Sequence, residues 1–212
     1  MIIALMGPPG SGKGTQGKLL AKKLNLPHIS IGDIFRGMVK AENNDSKLLQ
    51  FYMSQGKLVP SELVNDIVHK FLSQKKYEKG YILDGYPRNL AQAKYFNILV
   101  KQDIKILFFS IEDQTIIKRI LGRFSCINCG QIYNRFFIKL KADNICDVCG
   151  SNQFIHRQDD DEQTIKQRIE EYKIETNPLM DYYKSNQQLH SIDANENRED
   201  IELAIDKLLK TV

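Results

Sequence analysis

MIIALMGPPGSGKGT, at residues 1–15, joins a short apolar run to a glycine-rich segment. The continuous apolar run 2–6 is typical of a strand buried on both faces, and helical spacing follows over residues 18–24. Residues 7–15 match the phosphate-binding loop pattern in the strand-to-helix context that this pattern requires. Its glycines allow backbone N–H groups to converge on an anion, and the positive end of the following helix points to the same place.

This loop predicts a site for a polyphosphate. Lys13 would reach the outer phosphates, and the Thr15 hydroxyl would approach Mg²⁺. Gly14, between these two residues, is a departure from the plain motif. The alternative is a glycine-rich turn that binds nothing, and both the lysine and the flanking elements argue against it.

Strand-like and helix-like segments alternate along the rest of the chain. Further strands are predicted at 81–84, 105–110 and, more weakly, 189–192, and helices at 90–100, 113–121 and 200–209. A long helical pattern begins after Asp160, and Pro178 should bend or interrupt it. Alternation of this kind predicts an α/β fold in which a parallel sheet is covered by helices on both faces. Residues 30–59 and about 122–160 break the rhythm and are interpreted as insertions into this core.

Composition excludes several classes of protein. The chain has 212 residues, of which 42% are hydrophobic, and a net charge of +4, so disorder is not expected. The N-terminal apolar run is too short for a signal sequence or a membrane span, which predicts a cytoplasmic protein without a membrane partner. The small positive excess gives little reason to expect nucleic acid as a partner, whereas small polyanions remain possible.

A second candidate site follows the strand at 81–84. Asp84 ends this strand, where proteins with a phosphate-binding loop hold their metal directly or through water. Arg88 would lie at the carboxyl edge of the sheet, where ligands bind in open α/β folds. On its own, the segment could equally be a simple strand end with a turn.

Four cysteines form two pairs, Cys126 with Cys129 and Cys146 with Cys149. Two such pairs at this spacing indicate a tetrahedral four-thiolate site, with zinc as the favoured metal. Because four thiolates leave no open coordination position, the metal should be structural. Disulfides and an iron site are the alternatives.

Several arginines lie at predicted strand ends or at the edges of the insertions, and phosphoryl transfer needs such groups. They are Arg36, Arg88, Arg119, Arg123, Arg157 and Arg168. Individually, each could be a solvated surface charge. The acidic run 159–162 is interpreted as the cap and first turn of the long helix, and no chemistry is assigned to the four histidines.

These motifs together resemble the adenylate kinases, specifically those whose lid carries zinc, over essentially the whole chain. The resemblance rests on GPPGSGKGT at 7–15, ISIGDIFR at 29–36, GKLV at 56–59, LDGYPR at 83–88 with Gln92, LGRF at 121–124, both cysteine pairs, RQDD at 157–160 and Gln167-Arg168. It implies a P-loop NTPase fold, with a five-stranded parallel sheet and two mobile insertions. Segments 1–29, 60–121 and 161–212 would form the core, 30–59 the domain that binds the nucleoside monophosphate, and 122–160 the lid.

The resemblance also implies the site residues. ATP would contact Gly10, Ser11, Gly12, Lys13, Gly14, Thr15, Arg119, Arg123, Ile132, Tyr133 and Glu196. AMP would contact Ile31, Arg36, the backbone of Lys57, Leu58 and Val59, and Gly85, Tyr86, Pro87, Arg88, Gln92, Arg157 and Arg168. In the family the glutamine amide pairs with the adenine edge, so Gln92 is the main support for AMP over other monophosphates. Catalysis would depend on Lys13, Arg88, Arg123, Arg157 and Arg168, with Zn²⁺ in the lid and Mg²⁺ held by Asp84 through water.

The sequence departs from the family pattern at a few positions. Ile31 stands where a hydroxyl residue is usual, which puts the affinity for AMP in doubt, and Asn134 replaces a frequent histidine. The implied activity is reversible transfer of the ATP γ-phosphoryl group to AMP, giving two ADP, by a monomer. The alternatives are a kinase for GMP, UMP or CMP, and a zinc-ribbon protein that binds nucleic acid.

Overall fold

A five-stranded parallel sheet forms the centre of the computed structural model, which describes residues 1–42 and 44–211. Asn43, inside the predicted insertion 30–59, and Val212, at the end of the predicted core, lie outside the described residues. The strands are β1 (Ile2–Met6), β2 (His28–Ser30), β3 (Tyr81–Asp84), β4 (Ile104–Ser110), β5 (Arg123–Cys126), β6 (Ile132–Asn134), β7 (Phe154–Ile155) and β8 (Leu189–Asp193). The central sheet has the order β2-β3-β1-β4-β8, and a second sheet has the order β6-β5-β7.

Helices cover both faces of the central sheet. They are α1 (Lys13–Leu24), α2 (Ile31–Lys40), α3 (Ser46–Ser54), α4 (Ser61–Leu72), α5 (Leu90–Leu99), α6 (Asp113–Leu121), α7 (Glu162–Glu171), α8 (Leu179–Ser185) and α9 (Arg198–Thr211). Alternate residues of β1 face opposite ways: Ile2 and Ala4 join one buried cluster, while Ile3 and Leu5 join another with α1 and α9. The predicted α/β architecture and its buried parallel strands are therefore confirmed.

The element predictions were accurate where periodicity was strong. The helix predicted at 113–121 matches α6, and that at 90–100 matches α5 within one residue. The predicted interruption at Pro178 is also confirmed, because a π-helical turn at Tyr172–Thr176 separates α7 from α8. Residues 28–30 were not predicted as a strand, yet they form β2 and pair with β3.

The two segments that break the alternation differ in structure. Residues 30–59 contain α2 and α3, whose apolar faces join the larger core cluster through Phe35 and Leu49. Residues 122–160 contain the small antiparallel sheet and a separate cluster of Cys126, Tyr133 and Cys146. Within the described residues, no helix combines the length and apolar character needed to cross a membrane.

Candidate active site and metal centre

A cavity of about 560 Å³ opens at the carboxyl edge of the central sheet. Leu5 of β1 pairs with Asp84 of β3, and Ser30 of β2 pairs with the same Asp84, so the segments that follow these strands leave the sheet together. This is the edge at which open α/β folds bind ligands. Among the described residues, nine Lys or Arg and five Asp or Glu side chains line the cavity, which favours a polyanionic ligand.

The phosphate-binding loop lines this cavity. Gly12 is the N-cap of α1 with a φ of 92°, and Gly10 has a φ of 76°, a region that other residues rarely adopt. A Cβ on Gly10 would also lie 2.8 Å from the Ile120 side chain. Lys13, Gly14 and Thr15 follow in the first turn of α1 and line the cavity. The positive end of this helix therefore faces the ligand space, as the sequence predicted.

Lys13 is held by neutral acceptors from its own loop. Its Nζ donates to the carbonyl oxygens of Gly7 at 2.7 Å and Pro8 at 2.6 Å, and to the Ser11 hydroxyl at 3.1 Å. Burial lowers the pKa of Lys13 to about 7; Asp84 opposes this shift, and nearby arginines add to it. The ammonium is thus poorly compensated in the ligand-free protein and would gain from a phosphate beside it.

Asp84 contacts the same space at the end of β3. Its Oδ2 lies 3.9 Å from Nε2 of His28, a buried nitrogen with no hydrogen-bond partner among the residues that the structure describes. Burial lowers the pKa of His28 below 6.5, although Asp84 and Asp33 oppose the shift, so the imidazole is neutral near pH 7. The sequence assigned no role to His28, because a single histidine at a short strand carries no recognisable pattern.

Carboxylates hold most of the site arginines. Arg123 donates from Nε to Asp160 at 2.8 Å and makes a second bond from Nη2 to the same carboxylate at 2.5 Å. Arg168 donates to Asp159 at 2.9 Å. These pairs have the charge-assisted geometry that fixes a guanidinium in place.

The interpretation of residues 159–162 as a helix cap was half wrong. Asp161 caps α7, accepting a bond from the Thr164 N–H at 2.9 Å, and Glu162 lies in the first turn. Asp159 and Asp160, however, pair with Arg168 and Arg123. Although burial alone would raise it, the pKa of Asp159 is lowered, chiefly by Arg168.

A second carboxylate system joins residues 30–59 to residues 122–160. Asp33 of α2 pairs with Arg36 one turn later and lies 3.9 Å from Arg157, which belongs to residues 122–160. Burial lowers the pKa of Arg157 to about 10, and the neighbouring Arg123 and Arg36 add to the shift. Arg157 therefore stays charged at neutral pH in a crowded cationic environment.

Arg88 is fixed by its own backbone contacts. Its N–H donates to Oε1 of Gln92 at 2.8 Å, and its carbonyl accepts a bond from the Thr176 hydroxyl at 2.7 Å. Its Nε donates to the Gly85 carbonyl at 2.8 Å. Burial lowers the pKa of Arg88 to about 10, and Arg168 adds to this shift.

Arg119 lines the part of the cavity near the loop after β8. Its Nη2 donates to the Glu196 carbonyl at 3.3 Å, and its guanidinium lies 5.5 Å from the centre of the Phe137 ring. Asn134 donates to the Arg119 carbonyl at 2.6 Å and accepts from the Phe137 N–H at 3.2 Å. The position where the family often has histidine thus holds this part of the cavity together.

Most of the predicted site residues line the cavity. They are Gly10, Gly12, Lys13, Gly14, Thr15, Arg36, Leu58, Asp84, Gly85, Pro87, Arg88, Arg119, Arg123, Ile132, Tyr133, Arg157, Arg168 and Glu196. The sequence missed several others, including His28, Asp33, Tyr172 and Thr176, because their partners are remote in sequence or lack a motif.

Six predicted contacts do not line the cavity. The side chains of Ile31, Val59 and Tyr86 are buried in the larger core cluster, so a contact of these residues with a nucleotide stays a prediction and would have to come from their backbone. The remaining three are Ser11 and Gln92, whose side chains are buried, and Lys57, whose side chain is exposed to solvent. Ile31 therefore supports the core rather than presenting an apolar group to the cavity.

The four cysteine sulfurs form a compact cluster, all within 4.8 Å of one another. The sulfurs of Cys126 and Cys149 are 3.6 Å apart, and those of Cys129 and Cys146 are 3.5 Å apart. A disulfide requires about 2.05 Å, so the disulfide alternative is wrong for this structure. Sulfurs around a tetrahedral zinc ion, each about 2.3 Å from the metal, would be about 3.8 Å apart, close to the observed spacing.

Backbone and side-chain donors surround this cluster. The N–H groups of Cys129 and Asn128 donate to the Cys126 sulfur and lower the pKa of its thiol. The glycines after the two pairs, Gly130 and Gly150, have φ values of 67° and 71°, which only glycine adopts readily. The Tyr133 hydroxyl lies 3.3 Å from the Cys146 sulfur and accepts a bond from the Asp147 N–H at 2.8 Å. These features fit a site that holds thiolates on a metal ion.

Comparisons with known proteins agree with this geometry. A family model described as adenylate kinase matches residues 5–188. An adenylate kinase from Rickettsia africae (strain ESF-5) is 54% identical over 210 residues, covering 99% of each chain. Adenylate kinases from Rickettsia bellii (strain RML369-C) and Rickettsia prowazekii (strain Madrid E) are 54% and 51% identical, again over 99% of each chain. Because more than half of the residues are identical over nearly the full length, this chain belongs to the adenylate kinase family of phosphotransferases.

Proposed function

We propose that this protein transfers the γ-phosphoryl group of ATP to AMP, reversibly, giving two ADP. The main support for this proposal is that a single cavity contains two groups of residues suited to binding phosphate. Lys13 and the start of α1 line this cavity together with Arg36 and Arg88. Arg88, Arg123 and Arg168 are all close enough to Lys13 to influence its pKa. Two phosphorylated ligands could therefore meet end-on between them.

The proposed mechanism is positioning and charge neutralisation. An AMP phosphate is already anionic at neutral pH, so the acceptor needs no general base. Lys13 and Arg123 would bind the transferred group of ATP, while Arg88 would orient the AMP phosphate for in-line attack. Arg157 and Arg168 would neutralise charge that develops between the two nucleotides. Burial of the cavity would exclude water as a competing acceptor.

Mg²⁺ is proposed to accompany ATP. Magnesium prefers oxygen ligands and usually keeps several waters, binding through one or two carboxylates and the substrate phosphates. Asp84 and the Thr15 hydroxyl line the cavity beside Lys13 and offer such oxygens. Asp84 would hold the ion through water and so keep the β- and γ-phosphates near Lys13. When bound, the ion would reduce charge repulsion between the nucleotides.

Zinc is proposed for the four-cysteine cluster. Cys126, Cys129, Cys146 and Cys149 supply a complete tetrahedral donor set, and the surrounding apolar cluster is small. A segment with so little core gains its stability from metal binding. Iron would accept the same ligands, so metal analysis of the purified protein decides between them.

Residues 30–59 and 122–160 are proposed to close over the nucleotides, on a core made of 1–29, 60–121 and 161–212. Two contacts support closure: Lys18 of α1 donates to the Gly130 carbonyl at 3.0 Å, and Arg157 lies near Asp33. Dihedral changes are expected near Gly122 and Asp159. A Cβ on Gly122 would lie 2.7 Å from Asn134 Oδ1, so this position has room only for glycine. The protein is proposed to act as a monomer, which sedimentation can check.

The test is ADP formation from ATP plus AMP, measured against ATP alone. Initial rates with GMP, CMP and UMP as acceptors, at matched concentrations, determine the acceptor preference. We expect AMP to be preferred, and a preference for GMP would contradict the choice of acceptor while leaving the reaction class intact. No ADP formation with any acceptor would contradict the proposed function itself.

A further inference from the structure

The helix after residue 161 changes its hydrogen-bonding pattern before Pro178. The Asn177 N–H bonds the Tyr172 carbonyl at 2.9 Å, five residues back, and residues Tyr172–Thr176 form a π-helical turn. Proline has no N–H to donate, so a regular α-helix cannot continue through it. Turns of this kind often occur at functional sites. Here the turn borders the cavity, with Tyr172 and Thr176 among its lining residues.

The wider turn brings Thr176 against Arg88. Thr176 is only 5% exposed, and its hydroxyl donates to the Arg88 carbonyl at 2.7 Å across 88 residues of sequence. A buried hydroxyl with a single good acceptor at this distance makes a well-formed hydrogen bond. On the other side, Oε1 of Gln92 accepts a bond from the Arg88 N–H at 2.8 Å. The Arg88 peptide groups are therefore held from both sides.

The guanidinium of Arg88 needs this support. Arg168 and Arg36 repel it, and Asp84 and Asp159 attract it. Within the residue's own segment, Nε donates to the Gly85 carbonyl at 2.8 Å. The direction of the side chain consequently depends on where the backbone of residues 85–88 is held.

We infer that Thr176 is a positioning residue for Arg88 and, through it, a determinant of affinity for the acceptor nucleotide. The inference rests on the proposed role of Arg88 in binding the AMP phosphate. Thr176 touches neither nucleotide in this scheme; its hydroxyl fixes the carbonyl next to the guanidinium. The proline that interrupts the helix thereby places a hydroxyl group beside the active site.

Thr176→Val removes the hydroxyl at nearly constant volume, and Thr176→Ser keeps it. We expect the valine variant to raise the KM for AMP by about tenfold, since an unpaired buried carbonyl and a freer arginine weaken phosphate binding. The KM for ATP should stay within about twofold, because the Thr176 hydroxyl is bonded to Arg88 and not to a residue proposed to bind ATP. The serine variant should restore the KM for AMP. Ser185→Ala removes the hydroxyl that the exposed Ser185, at the end of α8, bonds to the Tyr182 carbonyl; it is the matched control and should change neither constant.

Thermal denaturation and a direct titration of AMP binding accompany the kinetics, with Thr176→Ala as a second hydroxyl-free variant. The positioning role is overturned if the valine variant keeps its affinity for AMP, if serine fails to restore it, or if the KM values for both nucleotides rise together. Failure of both hydroxyl-free variants to fold would also overturn it, since the hydroxyl would then be structural. Absence of ADP formation in the unaltered protein contradicts the proposed function instead, and the AMP titration still measures the effect of Thr176.

Discussion

Binding of ATP is expected to transfer a proton from solvent to Lys13. In the ligand-free protein burial lowers the pKa of this residue to about 7, and its Nζ contacts two carbonyls and a hydroxyl rather than an anion. A triphosphate beside the ammonium favours the charged form and raises the pKa again. At pH 8 the free protein carries about 0.1 proton on Lys13, so binding should take up about 0.9 proton, against about 0.5 at pH 7 and about 0.1 at pH 6.

The affinity of the protein for ATP should fall as the pH rises. A site that takes up a proton on binding loses affinity as the pH rises, so ATP should bind about 50-fold more weakly at pH 9 than at pH 7. Arg88 and Arg157, whose pKa values are lowered to about 10, remain protonated at pH 8 and do not contribute.

The assay is isothermal titration calorimetry with Mg²⁺ and a non-hydrolysable ATP analogue. Repeating it in buffers of different ionisation enthalpy gives the number of protons taken up. Lys13→Arg is the comparison, because a guanidinium stays charged and should show almost no uptake. Uptake near zero in the unaltered protein at pH 8, or equal uptake in the arginine variant, would refute the assignment of this proton to Lys13.

Three further outcomes are expected. Chelation of the metal should unfold residues 122–160 at a lower temperature than the core, seen as a separate transition in calorimetry, and a single unshifted transition would argue against a structural metal. Tyr133→Phe should weaken metal retention about tenfold in competition with a chelator, because it removes the hydroxyl next to the Cys146 sulfur; unchanged retention would leave that contact without a role. Asp160→Asn should destabilise the ligand-free protein by about 1–3 kcal/mol, since Arg123 loses its anionic partner, and saturating ADP with Mg²⁺ should reduce the deficit. A deficit of the same size with and without ADP would show that phosphate does not replace this carboxylate.

Sequence patterns predicted those features of the fold and site that are determined by residues close together in the chain. The phosphate-binding loop, the cysteine pairs with their glycines and the helix break at Pro178 each follow from residues a few positions apart. The strand β2 escaped prediction because it has three residues, two of them the polar His28 and Ser30. A run this short carries no periodicity, and its strand character comes from pairing with β3.

The carboxylates of the site could not have been predicted in the same way. Arg123 and Asp160 are 37 residues apart, and nothing in either segment marks them as partners. Helix-capping rules explain Asp161 but apply equally to its acidic neighbours, which is why Asp159 was assigned to the helix. The resemblance to a family predicted which arginines belong to the site. Their carboxylate partners could be identified only from the three-dimensional structure.

The paired carboxylates also explain how a site with so many cations remains stable without nucleotides. Burial and neighbouring arginines lower the pKa values of Arg88 and Arg157 only to about 10, so both side chains stay charged at neutral pH. Repulsion between these side chains and the neighbouring arginines therefore persists in the folded protein. Asp33, Asp159 and Asp160 offset part of it through the ion pairs described above. A carboxylate carries one negative charge and a terminal nucleotide phosphate carries up to two, so such a phosphate can compete with the carboxylate for the guanidinium. The protein is thereby preorganised for polyanions, and the same carboxylates that stabilise it without ligands compete with the substrates for its arginines.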